Sequence, residues 1–129
     1  MLFRSPDLAV ADVSFIALAR VLAALRRLLR RPCEALLLVK PQFEVGPGRV
    51  GKGGVVRDPA AHCDAIAGVI NAAAELDWEP AGLLGSPITG PAGNHEYLLW
   101  LVERGSREEG QWPMTDETIR SVVTRTMTP

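Results

Sequence analysis

Lys40 ends the apolar run Ala35-Leu36-Leu37-Leu38-Val39, leads into Pro41-Gln42-Phe43-Glu44, and is one of only two lysines in a chain whose other basic side chains are arginines. A lysine can give up its proton when desolvated or set beside another cation, whereas a guanidinium stays charged, so lysine keeps general-base chemistry available. At the carboxyl end of a buried strand such a group faces the crevice where α/β sheets bind ligands; the plain alternative is a solvated lysine that merely ends a strand. Asp12 closes another short apolar run 28 residues earlier, and Glu96 enters a later one after Gly93-Asn94-His95. One cation and two carboxylates thus fall at strand boundaries. The competing structural roles are a helix cap for Asp12 and a strand-end ion pair for Glu96.

A second candidate is Gly46-Pro47-Gly48-Arg49-Val50-Gly51-Lys52, which has the glycine, four-residue gap and glycine-lysine spacing of a phosphate-cradling loop. Gly53 replaces the hydroxyl residue that would hold magnesium, and Pro59 delays the next helix well beyond Lys52, so nucleoside triphosphate binding is not expected. The basic residues Arg49, Lys52 and Arg57 remain plausible phosphate contacts, since cations and backbone amides on a glycine-rich loop can follow an RNA backbone; a purely structural loop is the alternative. Cys33 and Cys63 belong to no closely spaced ligand set and read as small buried residues of a reducing compartment, so no metal site is expected. His62 reads as a partly exposed helix-start residue rather than a ligand.

The elements that must position these groups follow from periodicity. Residues 7–15 make a first buried strand ending near Asp12 or Ser14, and residues 17–31 an amphipathic helix with Leu18, Val21, Leu22, Leu25, Leu28 and Leu29 on one stripe. Arg26, Arg27, Arg30 and Arg31 gather toward its carboxyl end, where they complement the helix dipole and aid solubility. Pro32 stops the helix and residues 34–39 form a second strand, so Asp12 and Lys40, one strand-helix-strand unit apart, end neighbouring parallel strands on one edge. Asp58 caps and Pro59 opens a helix running to about Asp77; residues 78–84 and 97–102 form third and fourth strands that run antiparallel, and residues 116–126 a short tail helix.

At 129 residues, 47% hydrophobic and 22% charged, the composition is that of one globular domain, and a formal charge of −1 excludes nucleic-acid binding by bulk charge, so any RNA contact must be local. No apolar stretch is long enough for a spanning helix and no secretory leader is evident, which predicts a cytoplasmic protein without a membrane partner. Residues 1–5 fit poorly with the strand that follows and read as a non-native leader.

Five ordered motifs carry a family resemblance: Asp12-Val13-Ser14-Phe15-Ile16, Leu38-Val39-Lys40-Pro41-Gln42-Phe43-Glu44, the stretch from Gly51 to Pro59, Ser86-Pro87-Ile88-Thr89-Gly90-Pro91, and Asn94-His95-Glu96-Tyr97-Leu98-Leu99. Over roughly Leu8 to Val102 the chain resembles the TlyA family, the hemolysin A-like, FtsJ-related ribosomal RNA 2′-O-methyltransferases. Those enzymes use a Lys-Asp-Lys-Glu set to move a methyl group from S-adenosylmethionine to a ribose 2′-hydroxyl. The resemblance implies that Asp12 is the aspartate, Lys40 the second lysine and Glu96 the glutamate. It also implies that Asp12, Ser14 and Phe15 meet the cofactor and that ribosomal RNA or a ribosomal subunit is the partner. The first lysine, the glycine-rich turn that holds the adenosine portion, and the S4-type RNA-binding module have no counterpart here.

The fold expected from these readings is α/β, the carboxyl-terminal half of a Rossmann-like methyltransferase sheet with parallel strands, helices and a final antiparallel strand. Residues 6–103 would be a partial methyltransferase domain and residues 104–129 a polar linker and short helix. The missing half of the same protein is then a required partner, and this chain alone is expected to be inactive. A neighbouring lysine would favour loss of the Lys40 proton and Asp12 would oppose it, so without the first lysine Lys40 stays charged. The rival expectation is a non-catalytic RNA-binding remnant or subunit that lacks the cofactor-binding half.

Overall fold

The computed structural model describes residues 6–106 and 114–129; the leader assigned to residues 1–5 and most of the linker after Ser106 lie outside them. Four strands, β1 (Leu8–Ala11), β2 (Glu34–Val39), β3 (Trp78–Gly85) and β4 (Tyr97–Glu103), form one sheet in the order β1-β2-β4-β3. β1 and β2 are parallel with Val10 opposite Leu36, whereas β4 runs antiparallel to both β2 and β3. The last strand therefore inserts between the second and third. This is the α/β architecture expected, and it points the carboxyl ends of β1 and β2 and the amino end of β4 to one edge.

Side-chain alternation decides which face is covered. Ala35, Leu37 and Val39 of β2 and Tyr97, Leu99 and Leu101 of β4 are buried, packed with Leu18 and Leu22 of α1 (Leu18–Leu28), Ile66 and Val69 of α3 (Pro59–Ala74), and Ile119, Val122 and Val123 of α4 (Asp116–Met127). The tail helix thus belongs to the same core as the strands. Asp58 accepts from the Ala60 amide and Thr115 from the Thr118 amide, capping α3 and α4 as their sequences require.

Two local features differ from the sequence expectation. The first long helix stops at Leu28 rather than reaching Arg31, because the backbone turns extended at Leu29, whose side chain joins the core. Pro41–Glu44 forms a one-turn helix, α2, directly after Lys40, and the Glu44 carboxylate accepts from the Leu18 amide at 2.9 Å, satisfying a free donor at the start of α1. Burial pushes the Glu44 carboxyl above its usual value, opposed by that hydrogen bond. As expected of a tightly turned loop, the glycine-rich segment folds into two short 3-10 turns, Pro47–Arg49 and Lys52–Gly54, and no helix follows Lys52 until Pro59.

Candidate active site

Lys40 leaves β2 with its side chain only 12% exposed, and its Nζ lies 2.5 Å from Asp12 Oδ1 at the end of β1. It also donates to Ser14 Oγ at 3.2 Å. Adjacent parallel strands thus deliver a lysine and an aspartate to the same point. Asp12 remains 64% exposed, so the carboxylate turns its other side outward. The chain then reverses through Phe15, which adopts a left-handed backbone (φ 63°) and stands 90% exposed, its ring 4.8 Å from that of Phe43. Such a backbone in a bulky residue is strained and persists only where surrounding structure enforces it; here Phe43 and the Glu44 cap on α1 bracket the turn.

Glu96 approaches the same place from the amino end of β4. It is buried, and its Oε2 accepts from Gln42 Nε2 at 3.0 Å. Gly90 lies against it so closely that a Cβ there would come within 2.8 Å of Oε2, so a larger residue would push the carboxylate out of place. Ser14, Phe15, Lys40, Gln42, Phe43 and Glu96 face a cavity of about 410 Å³. Lys40 and Glu96 thus share one cavity, and Asp12 supports Lys40 from beside it. Gln42 Oε1 is buried in the wall and has no hydrogen-bond partner among the described residues, an acceptor left unused.

The opposite wall is the end of the glycine-rich segment, and it is anchored by side chains. Asn94 is buried, accepts from the Val56 amide at 2.9 Å through Oδ1 and donates to the Gly54 carbonyl at 2.8 Å. The Val56 carbonyl is met by His62 Nε2 at 2.7 Å, and His62 Nδ1 lies 2.9 Å from Tyr97 Oη. A carbonyl can only accept, so Nε2 carries the proton and Nδ1 accepts from the tyrosine. His62 is therefore not the partly exposed residue expected: it is 0% exposed, because Tyr97 of β4 and Val56 close over it. Burial pushes its imidazole below the usual value, opposed by the Val56 hydrogen bond, and pushes the Tyr97 phenol up.

Of the three basic residues proposed to touch phosphate, the structure treats each differently. Arg49 is engaged by α3, with Nη1 2.6 Å from Asp64 Oδ2 and Nη2 3.8 Å from Asp58 Oδ2. Arg57 donates to the Lys52 carbonyl at 3.1 Å, bracing the loop, and Lys52 is exposed. The helix-end arginines also divide. Arg26 and Arg31 both clasp the Glu103 carboxylate, at 2.6 and 2.9 Å, a role beyond helix termination and solubility. Gln42 and Asn94 were not singled out from sequence, and only their places in the Lys40 and Glu96 motifs could have drawn attention to them.

Known proteins resemble this chain in sequence and in fold. Residues 1–103 match the FtsJ-like methyltransferase family. The chain is 46% identical over 116 residues to the 16S/23S rRNA (cytidine-2′-O)-methyltransferase TlyA of Mycobacterium tuberculosis, covering 90% of this chain and 43% of that protein. It is 33% identical over 97 residues to Hemolysin A of Brachyspira hyodysenteriae, covering 75% of this chain and 40% of that protein. A crystal structure of a Lactococcus lactis protein provisionally named a hemolysin superposes with a TM-score of 0.82 at 36% identity, covering 97% of this chain and 58% of that one. This chain spans less than half the length of the curated relatives it matches. By the extent of the match and the identity to these relatives, the chain belongs to the FtsJ-like methyltransferase family.

Proposed function

We propose that this chain carries the catalytic edge of an enzyme that methylates a ribose 2′-hydroxyl in ribosomal RNA, with Lys40 as the base, Asp12 and Glu96 as its supporting carboxylates, and S-adenosylmethionine as the methyl donor. The observation that carries the reading is the convergence of Lys40 and Glu96 on one cavity, with Asp12 against the lysine. A ribose hydroxyl is a weak nucleophile and needs an adjacent acceptor for its proton as the oxygen attacks. Lys40 takes that proton once neutral. Glu96, held by Gln42, fixes the ribose or the lysine, and the unused Gln42 Oε1 offers an acceptor to a donor on the nucleotide. The exposed Phe15 ring and the cavity it flanks suit a nucleotide turned out of its stack.

The residues present fit one end of the cofactor. The outward side of the Asp12 carboxylate can hold a cationic methionine amino group, and Ser14 and Phe15 flank it. When bound, S-adenosylmethionine supplies an electrophilic methyl group. Everything else this chain does is to bind, orient and take a proton. Arg49, Lys52 and Arg57 serve as phosphate contacts, led by Lys52, because Arg49 is committed to two aspartates.

One observation favours a second reading for the isolated chain, a non-catalytic RNA-binding piece. The Lys40 ammonium is held by Asp12 and Ser14, and among the described residues it is the only cation lining the cavity. The other lysine of a Lys-Asp-Lys-Glu set would have to come from the remainder of a longer protein. Calorimetric titration with S-adenosylmethionine separates the readings: binding by this chain as tight as by the full-length protein refutes its dependence on a missing half. In the full-length protein, Lys40→Ala should abolish methyl transfer with RNA binding intact, whereas Lys52→Ala should weaken RNA binding. Equal loss of RNA binding in both removes Lys40 as the base.

A further inference from the structure

Beside the catalytic cavity, on the far side of the segment that carries Glu96, lies a second cleft of about 390 Å³ between the loop after β3 and helix α4. Ser86, Thr89, His95, Arg125 and Thr126 supply its polar wall, and among the described residues no acidic side chain lines it. We propose that this cleft binds a backbone phosphate of the same RNA strand whose target ribose enters the Lys40–Glu96 cavity; the proposal rests on the methyltransferase reading and extends it to a second contact.

Four of those side chains can donate to an anion. Arg125 is exposed on the last turn of α4 and forms no ion pair among the described residues. Ser86 Oγ accepts weakly from the Ile88 amide at 3.4 Å, which leaves its own proton to give. Thr89 and the His95 ring add a hydroxyl and an imidazole N–H. Thr126 differs, since its hydroxyl donates back to the Val122 carbonyl at 2.7 Å and contributes shape rather than a proton. Gly85 makes the cleft possible: a Cβ there would collide with the Thr126 side chain, so only glycine lets α4 close down on β3.

Chain direction links cleft and cavity. Successive residues in an extended segment point to opposite sides. Glu96 lines the catalytic cavity and His95 the cleft, with Asn94 anchoring both to Val56 and Gly54. An RNA strand that places one ribose against Lys40 and Glu96 therefore meets His95 and Arg125 with a neighbouring nucleotide. A chain with a formal charge of −1 must hold RNA by such local groups. The plain role of Arg125 is to complement the α4 dipole, but that role does not call for two hydroxyls and a histidine around it.

The test is retention of purified ribosomal RNA by the full-length protein, titrated against salt, for wild type, Arg125→Ala, Arg125→Lys and His95→Ala, with thermal melting as the folding control. Loss of one phosphate contact should weaken binding about three- to fivefold at 0.15 M salt and flatten the log–log salt slope by about 0.7. Arg125→Ala and His95→Ala should both weaken binding, and Arg125→Lys should keep the slope. A dipole role alone would lower the melting temperature of Arg125→Ala and leave the slope unchanged, which overturns the proposal. If the variants bind like wild type while methyl transfer still depends on Lys40, the cleft falls and the function stands. If the slope flattens but wild type transfers no methyl group, the cleft stands as an RNA contact and the catalytic reading falls. No RNA retention by wild type overturns both.

Discussion

Lys40 is nearly enclosed while Asp12, 2.5 Å away, is mostly exposed, so one ion pair joins a sheltered cation to a carboxylate that still faces outward. The asymmetry divides their labour: the lysine addresses the cavity and the aspartate is free to hold a second positive group. In the full-length protein, Asp12→Asn should weaken S-adenosylmethionine binding by about tenfold or more, the cost of losing a charged hydrogen bond. Lys40→Ala should leave cofactor affinity close to wild type and reduce single-turnover methyl transfer by about 10² to 10⁴, the usual contribution of a positioned base. Calorimetry and rapid-quench transfer measure the two quantities separately. The division fails if Asp12→Asn binds cofactor normally.

His62 ties the glycine-rich segment to β4, and burial favours its neutral ring. Protonation would put a hydrogen on Nδ1, where Tyr97 Oη now donates. Within the fold, burial lowers the histidine, the Val56 contact raises it, and nearby His95 and Asp58 act in opposite senses. Since its folded value lies below the unfolded value of about 6.5, its stabilisation is complete above that pH and is lost as pH falls through the lowered value. His62→Ala should cost about 2 to 3 kcal/mol at neutral pH, because a buried hydroxyl and a buried carbonyl lose their partner. Urea midpoints at pH 7.5 and pH 5 should converge for wild type and variant as the pH drops. Parallel curves would exclude a preference for the neutral ring.

Much of this arrangement was legible in sequence, for reasons that differ by residue. The strand at Glu34–Val39 is bounded by Pro32 and by Lys40 with Pro41, and it forms with those limits. Asp12 and Lys40 come together because a strand-helix-strand unit leaves little freedom in where its two strand ends lie. What was not legible depends on distant contacts. The burial of His62 is decided by Tyr97, 35 residues on, and the Gln42–Glu96 hydrogen bond spans 54 residues. The four-residue helix at Pro41–Glu44 is too short to carry a periodic signal. Arg26 and Arg31 were readable as cations at a helix end, but their clasp on Glu103 needed β4 to lie next to β2.

That clasp predicts a second pH dependence, at lower pH than the first. Glu103 is buried, and hydrogen bonds from Arg26 and Arg31 hold its carboxyl far below the usual carboxylate range despite the cost of burial. Arg26 also lies 5.1 Å from the centre of the Trp78 ring, so its position is fixed from two sides. The folded value is depressed, so the stabilisation is present above the unfolded glutamate value of about 4.3 and is lost as pH falls toward the folded value. Glu103→Gln should destabilise the protein by about 3 kcal/mol at pH 7, since it leaves the largely buried Arg26 guanidinium without its counter-charge, while Arg31 keeps Asp77 at 3.6 Å. Its melting temperature should change less than that of wild type between pH 5 and pH 2.5. An equal acid response in both would assign the low-pH loss to other carboxylates.

The uncovered face of the sheet gives the final prediction. Register places Val10, Leu36, Trp100 and Gly82 in one cross-strand row and Leu38, Leu98 and Leu84 in the next, all on the face opposite the helices. Val10 is 70% exposed, Leu84 62% and Trp100 37%, and no described helix covers them. The Trp100 ring packs against Gly82, where a Cβ would sit 3.4 Å from it, and its Nε1 donates to Glu34. Contiguous apolar surface of this kind, beside a β1 edge that pairs with no strand among the described residues, favours association. The isolated chain should sediment as larger species at rising concentration and bind an apolar dye. Val10→Lys with Leu84→Lys should suppress both without lowering the melting temperature, because neither side chain is part of the buried core. Unchanged association in the double variant would place the contact elsewhere, whereas loss of folding would mean that this face is already covered within the chain.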